Sequence, residues 1–165
     1  MSQIQMLANN WLLGHSFSIG IADCCPSAAH ATASRATILA EVEACGGPWL
    51  DEDTKSDRLN SLRDSAAGAI VAASETNAFG LMMNAGSKGS KINISQVSVC
   101  LGQQMAGGKR VAADLERGLP HFCRGCSSAE AKGFVVNNYT TGLTPQEFWA
   151  HTTAGREGRE WGPAH

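Results

Sequence analysis

Large side-chain anchors are scarce in this sequence. Among 165 residues there are one tyrosine and five phenylalanines, only 17% of positions are charged, and glycine fills 18. Such a chain can build a core, but a thin one. No run of about 18 apolar residues occurs, so no helix is expected to span a membrane and no membrane partner is expected. Met1 through Gln5 lacks the basic start and apolar stretch of a signal peptide. The formal net charge of −2 gives no electrostatic footprint for nucleic acid, since autonomous DNA-binding domains carry a clear basic patch. No Ser/His/Asp or Cys/His nucleophile arrangement, no carboxylate cluster and no internal repeat stands out. Without a secretory signal, Cys24, Cys25, Cys45, Cys100, Cys123 and Cys126 are expected to be free thiols.

What is present is helical periodicity. Ile4, Leu7, Trp11 and Leu12 recur at helical spacing, with Ser2 and Gln5 spaced as a capping box and Gly14 as the stop. Phe17 to Ile21 alternates apolar and small residues, which predicts a short extended piece. Cys24 to Asp53 is rich in Ala, Ser and Thr and is broken at Gly46-Gly47-Pro48. It reads as a linker, apart from a helix over Ala31–Ala44. Leu59, Leu62, Ala66, Ala69, Ile70 and Ala73 form a narrow stripe on one long helix. Its small side chains bury little area, so it must pack on something else. Asn93, with Gln96 three residues on, predicts the cap of a further helix. Ile94, Val97 and Leu101 give its apolar face, and Gly107-Gly108 ends the segment. Arg117 to Pro120 reads as a turn, and His121 to Lys132 as irregular. Thr144, Pro145 and Glu147 stand where an N-cap, a first helical residue and its N3 partner belong. They predict a helix through Phe148, Trp149 and His151 towards Gly155. The pattern is that of a mainly α chain with long loops and little β.

Three groups of residues invite a chemical reading. His121, Cys123 and Cys126 are metal-ligand types with CxxC spacing, but zinc needs four ligands and no second pair is evident. Free loop cysteines are the alternative, and no zinc is expected. Gly86 to Ser90 resembles a phosphate loop only loosely, because Gly89 follows Lys88 where Ser or Thr belongs. A turn with a solvated lysine is the default, though a lysine before a helix N-terminus can touch a phosphate as a point charge. Gln103-Gln104 reads as polar surface at a helix end, and His151 as a structural or exposed histidine.

A series of short motifs runs through most of the chain. It begins with Phe17-Ser18-Ile19-Gly20-Ile21-Ala22-Asp23 and passes through Leu59-Asn60, Arg63-Asp64 and Glu75-Thr76-Asn77. It is densest from Ala85 to Gln96. It continues through Leu101-Gly102-Gln103-Gln104, Gly108-Lys109-Arg110, Leu119-Pro120-His121-Phe122, Ala131 to Val135, and Gly142 to Phe148. It closes at His151 and at Ala154 to Gly158. Each motif is weak by itself. In this order they resemble the largest subunit of multisubunit DNA-directed RNA polymerases, nearest to the RNA polymerase II type.

The resemblance implies an irregular helical funnel-type fold. Residues 1–25 would be the end of the pore region, 26–137 the funnel domain, and 138–165 the start of the bridge helix with a divergent tail. It implies a nuclear nucleotidyltransferase whose Mg2+ ligands lie outside this chain. The partners would be other polymerase subunits, including the second-largest, with DNA template, RNA product and nucleoside triphosphates. Lys88 matches a basic residue near the triphosphate of the incoming nucleotide. Gln103, Gln104, His151 and Glu157 match an amatoxin-type inhibitor site. No catalytic residue is implied, since the Asp-rich magnesium loop and the trigger loop have no counterpart, and the chain alone is expected to be inactive. Cys24 to Asp53 departs from the family pattern, Phe148-Trp149-Ala150 replaces three phenylalanines, and the match stops abruptly after Gly158. That break reads as a fragment, a truncation or a frameshift. A free-standing module that docks on polymerase subunits is the alternative function, and a small metal-binding domain a third.

Overall fold

A computed structural model describes residues 2–47, 50–72, 77–111 and 119–160, with all of their side chains except those of 64, 66–72 and 157–160. The chain is mainly helical among these residues. Helix α1 covers Ser2–His15, α2 Ile21–Cys24, α3 Ala28–Ala44, α4 Glu52–Ala72, α5 Ala78–Asn84, α6 Lys91–Ser98 and α7 Pro145–Glu160. Two antiparallel strand pairs lie between α6 and α7. Strand β1 (Gly102–Gln103) pairs with β4 (Phe134–Val135), and β2 (Met105–Ala106) with β3 (Lys109–Arg110). A single 3-10 turn, Glu130–Lys132, precedes β4. No helix among the described residues is long and apolar enough to cross a membrane.

Local chemistry sets the helix ends. The Ser27 hydroxyl accepts from the His30 N–H at the start of α3, and Asn77 Oδ1 accepts from the Gly80 N–H at the start of α5. These oxygens satisfy donors that have no partner inside the helix. Glu52 and Asp53 occupy the first turn of α4, the end that favours negative charge. At α6 the Ser90 N–H donates to Asn93 Oδ1 at 2.9 Å. Ser90 is therefore the cap, and Asn93 is its N3 partner rather than the cap itself. Likewise Ser2 opens α1 from within.

Three further expectations change. The Cys24–Asp53 stretch is mostly helix rather than linker, because α3 begins at Ala28 and anchors itself through Ile38, which is 1% exposed. It packs on α4. No strand forms over Phe17–Ile21; that piece is a loop from which Ile21 starts α2. Gly107-Gly108 does not end a helix but turns the β2–β3 hairpin, both residues having positive φ.

The core is split by the β1–β4 pair. Successive strand residues face opposite sides. Phe134 joins Ile38, Cys45, Leu59, Leu62, Val99 and Cys100 on one side. Val135 joins Leu101, Val111, Leu119 and Ala150 on the other. The first cluster fixes α3, α4 and α6, and the second fixes α7. Of the stripe on α4, Leu59 and Leu62 are buried. The side chains of Ala66, Ala69 and Ile70, and Ala73 as a whole, lie outside the described residues. Helix α1 buries nothing: Ile4, Leu7, Trp11 and Leu12 are 42–72% exposed.

Candidate functional site

A buried polar centre sits where β1, β3 and the start of α4 come together. Gln103 and Gln104 are 4% and 8% exposed. They are strand and loop residues of the interior, not polar surface at a helix end. The Gln103 amide donates to the carbonyls of Lys132 (2.8 Å) and Gln104 (2.9 Å). Its Oε1 accepts from Arg110 Nε at 3.1 Å. The Arg110 guanidinium, 4% exposed, also donates to Glu52 Oε2 at 3.0 Å and to the Ala129 carbonyl at 3.5 Å. Lys55, equally buried, donates to the other Glu52 oxygen at 3.4 Å. Burial works to raise the Glu52 pKa, but the Arg110 and Lys55 charges outweigh it and hold the carboxyl below its usual range. Two buried cations thus share one carboxylate that reaches the surface, an arrangement that depends on every remaining donor finding an acceptor.

Gln104 points the other way, towards α7. Its backbone N–H donates to the Gly133 carbonyl at 3.0 Å, and its side-chain amide donates to the Gly102 carbonyl at 3.2 Å. That fixes Oε1 as the atom 2.9 Å from His151 Nδ1. Nδ1 therefore carries the proton. Nε2, 3.2 Å from the Tyr139 hydroxyl, is then the acceptor in the neutral ring, a tautomer assigned from its partners. The Tyr139 and His151 rings meet edge to face with centroids 6.0 Å apart.

The start of α7 is fixed by Glu147. Thr144 and Glu147 form the expected capping box: the Glu147 N–H donates to Thr144 Oγ1 at 3.2 Å, and the Thr144 N–H donates to Glu147 Oε2 at 2.9 Å. The same carboxylate also accepts from the backbone N–H groups of Val136 and Asn137 and from the Asn137 side chain. Burial raises the Glu147 pKa, but the N–H donors of Thr144 and Asn137 outweigh burial and lower it. Its contribution to stability is therefore complete above the unfolded value of roughly 4.3 and is lost as pH falls through the lower folded value. Glu147→Gln is expected to cost about 1 kcal/mol at neutral pH. The cost should shrink as pH falls below the unfolded value and through the lower folded one, which urea denaturation over a series of acidic pH values would measure.

The other sequence-derived candidates lie elsewhere. Lys88 sits in the exposed turn between α5 and α6, flanked by Gly86 and Gly89 at φ 68° and 84°. It forms no hydrogen bond or ion pair among the described residues. Gln103, Gln104 and His151 are brought together; the Glu157 side chain lies outside the described residues. His121, Cys123 and Cys126 occupy one loop, and all six cysteines are free. Burial pushes the Cys100 thiol up to about 12 and also raises Cys45. No three His, Cys, Asp or Glu side chains among the described residues could hold a metal. Glu52 and Glu147 are committed to internal partners, so the site does not fit Mg2+. Arg110, Tyr139 and Lys55 were missed by sequence reasoning. Arg110 stands inside the Gly108-Lys109-Arg110 motif, which was a usable signal, and Tyr139 is the chain's one tyrosine. Nothing local marked Lys55.

The helical scaffold, with its split core and buried Gln103–Gln104–Arg110 centre, carries the ordered motif series, and comparison with known proteins gives its class: a segment of a multisubunit RNA polymerase largest subunit. The family described as RNA polymerase Rpb1, domain 4 matches residues 49–135, more than half of the chain, and the chain belongs to that family. A DNA-directed RNA polymerase III subunit RPC1 from Trypanosoma brucei brucei is 35% identical over 179 residues, covering 96% of this chain and 12% of that protein. The chain thus spans about an eighth of the length of this curated relative. The matched region holds Lys88, Gln103, Gln104 and Arg110 and stops short of Tyr139 and His151.

Proposed function

We propose that this chain works as part of the largest subunit of a nuclear DNA-directed RNA polymerase, lining the secondary channel through which nucleoside triphosphates reach the active centre. In this reading residues 1–25 end the pore, 26–137 form the funnel and 138–165 begin the bridge helix. The Mg2+ that supports nucleotidyl transfer is held outside this chain, and the chain's own role is structural support and nucleotide access. Template DNA, RNA product and the second-largest subunit would be its neighbours in the assembly. The observation that carries the reading is the Gln104–His151–Tyr139 connection, which ties α7 to the strand pair bearing the funnel-type motifs. The exposed apolar side of α1 agrees with a segment built into a larger body.

The exposed turn at Lys88 supplies the test. A charge that meets the incoming triphosphate makes a charge-assisted contact. In the complete polymerase, Lys88→Ala is expected to raise the nucleotide KM about tenfold with little change in the maximal rate. An unchanged KM would defeat the entry-route reading. We also propose that Gln103, Gln104, His151 and Glu157 form an amatoxin-type inhibitor site. Gln104→Ala, which removes the partner that orients His151, is then expected to weaken amatoxin inhibition of the assembled enzyme about tenfold. Inhibition equal to wild type would remove Gln104 from that site.

A further inference from the structure

The family motifs leave one cluster of reactive groups without a role: the Cys123–Cys126 turn. We propose that Cys123 and Cys126 form a reversible thiol–disulfide site, oxidised by low-molecular-weight disulfides and restored by thiols. Cys45 and Cys100 are buried in the first core cluster, whereas Cys123 is exposed and Cys126 partly so.

The backbone brings the two together. The Cys126 N–H donates to the Cys123 carbonyl at 3.3 Å, and Gly125 at the third position has φ 78°. This is a type II turn, which needs glycine there and holds its first and last Cα atoms within about 7 Å. A disulfide asks for Cα atoms about 4.4–6.8 Å apart, so the ring can close without unfolding the loop.

The turn is held on its C-terminal side. The Ser127 hydroxyl donates to the Gly46 carbonyl at 3.2 Å. Ser128 Oγ lies 3.5 Å from Cys126 Sγ and accepts from the Ala131 N–H at 3.2 Å. Hydrogen bonding by the Ser128 hydroxyl, then by the Ser128 backbone and the Cys123 thiol, lowers the Cys126 pKa against burial and the Glu130 charge. Cys126 is therefore the attacking sulfur. No third ligand type among the described residues completes a metal site with the pair, which favours exchange over metal binding.

The exchange balances in two steps. The Cys126 thiolate attacks one sulfur of a small disulfide, forming a mixed disulfide and releasing one thiolate. The Cys123 thiol gives its proton to solvent and attacks Cys126 Sγ, expelling the second thiolate. The protein loses two electrons and two protons, and the small disulfide becomes two thiols.

Arg124, between the cysteines, makes the product easy to read. Trypsin cuts after Arg124 and Lys132, so a disulfide joins peptide 118–124 to peptide 125–132. The 165-residue chain would be incubated with oxidised glutathione near neutral pH, alkylated, digested and weighed. The expected product is the joined pair, two hydrogens lighter than its separate reduced parts and released by dithiothreitol. Cys123→Ser should trap glutathione on Cys126. Cys126→Ser should slow thiol loss at the turn about tenfold. Recovery of the two peptides separately, each alkylated or glutathionylated, would overturn the disulfide site. A Cys123→Ser chain without an adduct on Cys126 would overturn the assignment of the attacking sulfur. Cys45 and Cys100 should stay unmodified throughout, which confirms that the chain remained folded.

Discussion

Arg110→Met is expected to destabilise the chain by about 3 kcal/mol, a large part of the total of about 5–15 kcal/mol typical of a domain. Met fills much of the guanidinium's space but donates nothing. Gln103 Oε1 and the Ala129 carbonyl then lose a donor in the interior. Replacing a whole buried ionic network with apolar residues can be neutral, but here the acceptors stay behind. Arg110→Lys should rescue little, since one ammonium cannot reproduce a planar fork aimed at three acceptors. Glu52→Gln should cost less, because the Glu52 side chain is 51% exposed and solvent screens the lost pair. Urea denaturation would show a lower midpoint with an unchanged slope for Arg110→Met. A midpoint equal to wild type would mean that the network adds nothing to stability.

Gly133→Ala comes second, at about 2–4 kcal/mol, from backbone strain and overpacking together. Gly133 has φ 86°, and a Cβ there would lie 2.8 Å from Val111 Cβ. Neither atom can swing away as the end of a flexible side chain would. The Gly133 carbonyl also accepts the Gln104 N–H, so a shift here moves the amide that meets His151. Adding Val111→Ala should relieve the steric part. In a double-mutant cycle the combined loss should therefore fall short of the sum of the single losses. Strict additivity would show that the clash is absorbed elsewhere.

Sequence legibility followed the range of the interaction. The Thr144–Glu147 box is a three-residue pattern, and it was readable in full. The α4 stripe was readable through Leu59 and Leu62. Helix α3 was partly hidden, because alanine, serine and threonine give no strong periodicity and Ile38 alone carries its burial. The strands were hidden outright: two residues cannot display an alternation. Gln103 and Gln104 were consequently placed on a surface. The Arg110–Glu52 pair joins residues 58 apart in sequence, and Glu147's second set of partners exists only once β4 and α7 meet. The grouping of Gln103, Gln104 and His151 came from resemblance to a family, not from spacing.

Among the described side chains, those shown holding α7 include residues from Glu147 to Ala154. Glu147, Ala150, His151 and Ala154 grip the body, while the helix runs on to Glu160. From His151 to Glu160 the axis runs about 13 Å, so a tilt of about ten degrees at His151 would carry Glu160 roughly 2 Å, on the rise per residue of an α-helix. The Gln104–His151–Tyr139 joint lies at that residue. A change at that joint is carried outward along the helix, so the two hydrogen bonds of one imidazole share with the Glu147 contacts in setting where Glu160 lies.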